Sequence, residues 1–336
     1  MNPTLSLVLP PEHGVQNLVP TVTFTWVAFA SILVTKVNVS LSPEAQARVE
    51  EFVDGVDERL SSSDATADVV QGVLARIHGD GDVYERWQAG ESVSLAERIR
   101  LDTYHPRHVH TKGEVWAEKD EAQFQQSKPL RWLWLGFDAS PLAANDAVAL
   151  PFRQMLADHL FAEAGDDLKL FRGIRFPYGH NIEMGDRTVV HENVLLDDRG
   201  ALDIGASVSV ADGAAIHSHS HDIVDQSDVS IYRTVVDDDV RIASGAMVGA
   251  GSRVGENAMI GAKAIVHGDV PAHHVAVGTP AESIKVKPGW EPVAADLGPL
   301  PDNRGARRIE YDLPPDLDTV DEFKRDLQTP VEVGSD

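Results

Sequence analysis

Residues 236–266 read VDDDVRIASGAMVGAGSRVGENAMIGAKAIV, and a branched aliphatic residue recurs at every sixth position of this stretch. The recurring residues are Val236, Ile242, Val248, Val254, Ile260 and Val266. A six-residue period is typical of a parallel β-helix, in which each hexapeptide forms one wall of a prism and points its aliphatic side chain inward. The pairs Asp238-Asp239 and Glu256-Asn257 suit the corners between walls, because Asp and Asn tolerate left-handed backbone values. The stretch therefore predicts a parallel β-helix.

The same period returns earlier in the chain, in a different phase. The aliphatic positions there are Met184, Val190, Leu196, Ile204, Val210 and Ile216. The two-residue slip between Leu196 and Ile204, and the long gap after Ile216, indicate insertions that leave the prism as loops. Loops on a rigid scaffold often carry functional residues.

The repeat region resembles the hexapeptide-repeat acyltransferases, most closely the branch of maltose and galactoside O-acetyltransferases. The resemblance rests on IGASVSV at 204–210, on the segment 216–221 with the insertion that follows it, on the hexapeptides quoted above, and on the exit VGTPA at 277–281. It covers residues 168–287. It implies a left-handed parallel β-helix that moves an acetyl group from acetyl-CoA to a hydroxyl of a sugar or glycan. It also implies a homotrimer, because the family forms its active sites between neighbouring prisms.

Candidate chemistry is concentrated in IHSHSHD at 216–222, where three His alternate with other residues. In an extended segment, alternate side chains point to the same side. In the resembling family the catalytic His follows a repeat aliphatic by five residues, and here that residue is His221. The resemblance implies that His221 is the general base for the acceptor hydroxyl, a role that suits imidazole because its unperturbed pKa lies near neutral pH. His217 and His219 are candidates for acceptor contacts or for holding the tautomer; alternatively, all three are exposed loop residues.

A second candidate group lies in VHENVLLDD at 190–198. The family usually has two Asn in this coil, the first of which helps to bind the acceptor. The resemblance places His191 and Asn193 at those two positions. Alternatively, Asn193 is a corner residue and His191 an outward-facing polar side chain.

For acetyl-CoA, the resemblance implies that the small residues Ala243, Ser244 and Ala262 let the pantetheine arm approach the backbone. Lys285 follows the exit segment and is expected to meet a phosphate of CoA. Arg241 is a further cofactor candidate, because a positive charge is unusual in so acidic a chain.

Two other functions remain open. A γ-class carbonic anhydrase uses the same prism with three His on zinc, but its later two ligands are usually separated by four residues, whereas His217 and His221 are separated by three. A non-catalytic assembly module is favoured by Gly268 and Arg241, which stand where the family usually has Lys and Trp. No resident metal is expected, since the chain has no Cys and no motif supports a metal site at His105, His108 and His110.

Composition limits the partners and the setting. The net charge of −24 comes from 53 acidic and 29 basic side chains, and nine of the basic ones are Lys. A nucleic-acid partner is excluded because neutralising phosphates needs a basic surface. Dense carboxylates with few Lys indicate the cytoplasm of a halophilic microbe, where salt screens their repulsion; a generically acidic protein is the alternative.

Outside the prism, the sequence predicts four further segments. Residues 1–36 carry Glu12 and Lys36 as their formal charges, and are a packed segment, a start artefact or, through residues 14–35, a membrane contact. Residues 37–150 are helical up to about residue 101, with one helix opening at Ser94, and irregular from 102 to 150. Pro151 begins a capping helix that occupies 151–167. The tail, 288–336, holds 12 acidic residues, five basic ones and seven Pro, and is either disordered or an arm over the prism or a neighbouring subunit.

Overall fold

The computed structural model describes residues 5–6, 23–24, 40–62, 65–223, 228–297 and 303–311. The chain forms two compact units, Met1–Pro43 and Glu44–Asp336. In the first unit, β1 (Leu5–Ser6) and β2 (Thr23–Phe24) pair antiparallel. The other predictions for residues 1–36 lie outside the described residues. Among the helices that the structure describes, none is long and apolar enough to cross a membrane.

Helices dominate the first part of the second unit. The described helices of the chain are α1 (Pro43–Ser62), α2 (Thr66–Ile77), α3 (Gly81–Gln88), α4 (Leu95–Tyr104), α5 (Glu121–Asp138), α6 (Asp146–Leu160) and, after the prism, α7 (Glu291–Leu297). The predicted start of α4 is confirmed. The Ser94 hydroxyl accepts a hydrogen bond from the Glu97 N–H at 3.3 Å, and the Glu97 carboxylate accepts one from the Ser94 N–H at 2.7 Å. This capping box satisfies backbone donors that have no partner within the helix.

Two predictions about these helices are wrong. The segment 102–150 was expected to be irregular, but it contains α5, whose apolar face is buried and whose interior holds Pro129. The helix expected to begin at Pro151 begins at Asp146 and includes Pro151. A Pro inside a helix removes one backbone hydrogen bond and normally signals a boundary. Burial of the apolar faces of both helices outweighs that loss.

The prism is built from short strands. They are β3 (Glu163–Ala164), β4 (Lys169–Leu170), β5 (Ile182–Met184), β6 (Val189–Val190), β7 (Leu195–Asp197), β8 (Ala201–Ile204), β9 (Ser209–Val210), β10 (Ala215–His217), β11 (His219–His221), β12 (Val229–Val236), β13 (Arg241–Ile242), β14 (Met247–Val248), β15 (Arg253–Val254), β16 (Met259–Ile260), β17 (Ile265–Val266), β18 (His274–Gly278), β19 (Ala281–Val286) and β20 (Arg308–Ile309).

Parallel pairing between successive coils sorts most of these strands into three walls, whereas β11, β19 and β20 pair antiparallel with β12, β18 and β12. Wall 1 contains β3, β5, β8, β12 and β15; wall 2 contains β4, β6, β9, β13, β16 and β18; wall 3 contains β7, β10, β14 and β17. The chain runs from wall 1 to wall 2 to wall 3 and then begins the next coil. The predicted parallel β-helix is therefore confirmed.

The repeat aliphatics form three inward columns. In wall 1 the column is Met184, Ile204, Val236 and Val254; in wall 2 it is Val190, Val210, Ile242 and Ile260; in wall 3 it is Leu196, Ile216, Val248 and Val266. Each of these side chains is at most 3% exposed. Burying a side chain of this size contributes about 1.5–3 kcal/mol, so the columns are the main source of stability of the prism.

The corners and insertions also follow the sequence. Asp239 and Asn257 have φ values of 58° and 53°, as expected for residues that turn between walls. The long gap after Ile216 forms a hairpin in which β11 pairs antiparallel with the first half of β12. The second half of β12 rejoins wall 1 beside β8.

The helices cover the first coil of the prism. Helix α6 packs against β3 and β4. The buried Arg153 donates from Nη2 to Asp138 Oδ1 of α5 at 2.5 Å and from Nη1 to the Leu170 carbonyl of β4 at 3.1 Å. One side chain thus joins α6, α5 and the first coil, whose exposed edge would otherwise leave backbone groups unpaired.

Part of the acidic tail lies on the prism. We call residues 303–311 the C-terminal arm. Its strand β20 pairs with Ile231 and Tyr232 of β12, and Arg307 Nε donates to the Gly251 carbonyl at 2.7 Å. Residues 312–336 lie outside the described residues, and the prediction for the tail as a whole stays a prediction.

Candidate active site

The candidate site lies at the corner where wall 3 turns into wall 1. Asp197 ends β7 and His217 ends β10, and the two residues are paired in register on successive coils. Each follows an inward-pointing repeat aliphatic, Leu196 or Ile216. Because neighbouring side chains on a strand point to opposite faces, Asp197 and His217 point away from the prism interior.

The β11 hairpin places a second His over Asp197. Ser218, which is fully buried, accepts a hydrogen bond from the Gly200 N–H at 2.7 Å and donates to the Asp197 carbonyl. These bonds fix the start of the hairpin against the previous coil. His219 follows, and its Nδ1 hydrogen-bonds to Asp197 Oδ2.

Asp197 is the charged centre of the cluster. It is 2% exposed, and its Oδ2 lies 3.4 Å from His217 Nδ1 in addition to bonding His219. Burial by itself would raise the pKa of Asp197, but the hydrogen bonds from His217 and His219 hold that pKa well below its usual range. Asp197 is therefore ionised at neutral pH. Its carboxylate assigns the Nδ1 protons to the two imidazoles, which leaves Nε2 of each as an acceptor.

His221 ends the row. It lies at the exposed end of β11, paired with Val229. The ring centres of His221 and His219 are 5.3 Å apart, and those of His219 and His217 are 6.4 Å apart. The structure thus brings together the three His that the sequence singled out, with His217 and His219 against Asp197 and His221 toward solvent.

His191 and Asn193 lie elsewhere, at the corner between walls 2 and 3. The His191 ring stacks on Phe171 with ring centres 5.4 Å apart, and Asn193 is an exposed corner residue with a φ of 58°. Strands of wall 3 separate this corner from the His row. At about 3.3 Å per residue the two corners of one chain are about 10 Å apart or more.

The cofactor candidates form two groups. Ala243, Ser244 and Ala262 occupy the same wall 2–wall 3 corner on successive coils, where the Lys263 N–H donates to the Ser244 carbonyl at 3.0 Å. Arg241 and Lys285 lie at the two ends of one row across the outer face of wall 2, with Met259 and Val275 between them. Both cationic side chains are exposed.

The three His at 105, 108 and 110 each lie near a carboxylate. His105 Nε2 lies 3.2 Å from Asp68 Oδ1, and His108 Nδ1 lies 3.5 Å from Asp102 Oδ1.

Comparison with known proteins gives a relative but no matching family model. The chain is 27% identical over 137 residues to galactoside O-acetyltransferase of Escherichia coli (strain K12), an alignment that covers 40% of this chain and 68% of that protein. Among solved structures it is similar to a maltose O-acetyltransferase from Clostridium difficile 630, with a TM-score of 0.44 and 25% identity over 50% of this chain and 89% of the other. It is also similar to a hexapeptide-repeat acetyltransferase from Vibrio cholerae, with a TM-score of 0.43 and 24% identity over 49% of this chain and 91% of the other.

The chain resembles the hexapeptide-repeat acetyltransferases. Within this acetyltransferase-like prism, sequence reasoning missed the role of Asp197. The repeat register held the signal, because Asp197 and His217 each directly follow a wall 3 aliphatic, one coil apart.

Sequence reasoning also missed a buried polar group beside the row. Arg199, 3% exposed, donates to Glu118 at 2.8 Å and lies over the Trp116 ring at 4.5 Å. Asp198 is fully buried and accepts hydrogen bonds from the Tyr178 and Gly179 N–H groups. Burial raises the pKa of Asp198 to about 7. These contacts join the helical region to the corner of the prism, and no repeat in the sequence indicates them.

Proposed function

We propose that this protein is an acyl-CoA-dependent O-acyltransferase that moves an acetyl group from acetyl-CoA to a hydroxyl of a sugar or glycan. The observation that carries the proposal is the row of three His supported by a buried carboxylate, on a prism whose sequence is similar to galactoside O-acetyltransferase. A positioned imidazole supplies the base that acyl transfer to a hydroxyl needs.

His221 is the proposed base. His221 is an exposed residue, and it follows Ile216 by the five residues that the family uses. As the acceptor oxygen bonds to the thioester carbonyl carbon, His221 takes the hydroxyl proton. The carbon–sulfur bond then breaks, and the proton passes to the sulfur, which leaves as the thiol of CoA.

His217 and His219 are proposed to contact the acceptor. Asp197 keeps a proton on Nδ1 of each ring, so that Nε2 can accept a hydrogen bond from a neighbouring hydroxyl of the acceptor. An acceptor with several hydroxyls, such as a sugar, fits a row of acceptor nitrogens.

The residues present fit acetyl-CoA. The exposed Ser244 and Ala262 have small side chains, which leave the backbone of their corner accessible to a pantetheine arm. Arg241 and Lys285 are exposed cations on one face of a chain with a net charge of −24, and suit phosphate groups. When bound, acetyl-CoA supplies the activated acetyl group.

We propose a homotrimer because the two groups of candidate site residues lie far apart within one chain. The His row lies at one edge of wall 3, while His191, Asn193 and the small-residue corner lie at the other. Threefold packing can set one edge of a chain against the other edge of its neighbour. Each active site then contains residues from two chains.

We also infer that the enzyme works in the salt-rich cytoplasm of a halophilic microbe. Besides the net charge, the outer face of wall 1 stacks Glu163, Glu183 and Asp203 in register on successive strands. Like charges directly opposite each other in a sheet repel, and high salt screens that repulsion.

The test is a screen of sugar and glycan acceptors with acetyl-CoA at high KCl, with release of free thiol as the readout. We expect thiol release that depends on the acceptor, with the acetylated acceptor identified by mass spectrometry. His110→Ala, at a ring that is 98% exposed outside the site, is the matched control for His221→Ala. If wild-type protein neither binds CoA nor releases thiol with any acceptor, the proposal is refuted.

A further inference from the structure

Three potential metal ligands converge at the His row. Within the described part of the chain, Asp197, His217 and His219 each offer one ligand atom, and the three atoms lie within 4.8 Å of one another. The Asp197 carboxylate oxygen Oδ2 lies 3.4 Å from His217 Nδ1 and is hydrogen-bonded to His219 Nδ1. Asp197 belongs to the previous coil, so spacing along the sequence does not indicate that it meets these two His.

The charge of the cluster favours a cation. Asp197 is ionised and 2% exposed, and a buried charge is normally paired or bound to a metal. The Asp197 side chain contacts the imidazoles of His217 and His219, so a negative oxygen lies beside two nitrogens that can each bind a metal.

The spacing also suits a small metal ion. Zinc binds His nitrogen and carboxylate oxygen at about 2.0–2.2 Å, so two of its ligands in a tetrahedral site are about 3.4 Å apart. Asp197 Oδ2 and His217 Nδ1 are already 3.4 Å apart. His217 and His219 are both half-buried and border solvent, which leaves a path for entry and room for a water ligand.

We propose that Asp197 Oδ2, His217 Nδ1 and His219 Nδ1 bind one divalent transition-metal ion, with Zn²⁺ and Co²⁺ as ions that match two imidazoles and one carboxylate. The ion takes the place of the proton between Asp197 and His219. In the metal-bound form each liganding imidazole carries its proton on Nε2 and therefore meets a hydroxyl as a donor, whereas in the metal-free form it meets one as an acceptor. His221 stays outside the ligand set. This site goes beyond acetyl transfer and does not depend on it.

The test uses the full chain after treatment with EDTA and desalting. Calorimetric titration with ZnCl₂ is carried out with millimolar Mg²⁺ present, so that the many surface carboxylates are occupied by a hard cation. We expect one Zn²⁺ per chain. Asp197→Asn and His219→Ala should each weaken Zn²⁺ binding at least about 100-fold, since even a residue that only orients a ligand contributes 10- to 100-fold. His110→Ala should leave it unchanged.

A measurement on the wild type covers the case in which a variant fails to fold. Co²⁺ bound by imidazoles in a four-coordinate site gives visible absorption bands, which Zn²⁺ should abolish in a one-to-one titration. Zinc binding that is equal in wild type and folded Asp197→Asn protein overturns the proposal, and so does wild-type protein that binds Zn²⁺ no better than Mg²⁺ or shows no Co²⁺ bands.

The outcome for the metal site is separable from that for acetyl transfer. His221→Ala should keep Zn²⁺ binding while losing turnover. A protein that binds Zn²⁺ through Asp197 yet acetylates no acceptor refutes the proposed function and supports the metal site. A protein that acetylates an acceptor yet does not bind Zn²⁺ through Asp197 supports the proposed function and refutes the metal site.

Discussion

Replacing Asp197 by Asn should destabilise the fold, because Asp197 is a buried acceptor for two imidazole N–H groups. An Asn side chain has one acceptor oxygen, and its NH₂ group would face the second N–H. At least one hydrogen bond to a charged group is lost, and such bonds contribute about 1.5–3 kcal/mol each. We therefore expect Asp197→Asn to lower the free energy of unfolding by about that amount at pH 7.

The effect should depend on pH in a defined direction. The folded-state pKa of Asp197 is held below its ordinary value. The stabilisation is therefore fully present above the unfolded-state pKa, about 3.9, and is lost as the pH falls through the lower folded-state value. The difference between wild type and Asp197→Asn should shrink as the pH falls below the unfolded-state pKa of Asp197.

The assay is urea unfolding at molar KCl with EDTA present, at pH 7 and at acidic pH. Asp203→Asn is the matched control, because Asp203 pairs with the exposed Arg233 on the outer face of wall 1 at 2.6 Å. Surface ion pairs contribute about 0–1 kcal/mol. If Asp197→Asn costs no more than Asp203→Asn at pH 7, or if its cost grows as the pH falls below about 3.9, the account of a buried, ionised Asp197 is wrong.

Four further predictions follow from the same structure. His221→Ala should lower turnover about 10²- to 10⁴-fold with CoA binding kept, as measured by thiol release and calorimetry; full activity would remove His221 as the base. Ile216→Ala, in the wall 3 column, should cost about 2–5 kcal/mol by urea unfolding, whereas Ile223→Ala, at a residue 96% exposed, should cost almost nothing. The melting temperature should fall as KCl drops below molar, because carboxylate repulsion is no longer screened; a flat curve would contradict the halophilic setting. Ultracentrifugation at high salt should give about three times 36.5 kDa, and a fully active monomer would disprove the shared site.

The sequence predicted the prism residue by residue. A six-residue period can be read along the chain without knowing which residues meet in space. The period itself implies that each inward aliphatic stacks on its equivalent one coil away. The corner at Asn257 was predictable for the same reason, because a left-handed conformation is a local property of the backbone. The helix opening at Ser94 was likewise set by its own capping residues.

The helices around the first coil were less predictable. Pro129 and Pro151 signal boundaries locally, yet both lie inside helices. What overrides them is tertiary: Phe137 and Phe152 are fully buried, with ring centres 4.2 Å apart, and Arg153 joins both helices to β4. Local propensity does not contain the energy of these contacts.

The candidate site, too, was predictable from the sequence only in part. The sequence by itself determined the prism and the three alternating His, because both are patterns of spacing along one chain. Only the tertiary structure decided that Asp197 meets His217 and His219, and that His191 lies at the opposite corner of wall 3. Those positions depend on how many residues each coil holds and on where the inserted hairpin folds back. Both are decided by the stacking of coils, which matches strands that are about 20 residues apart.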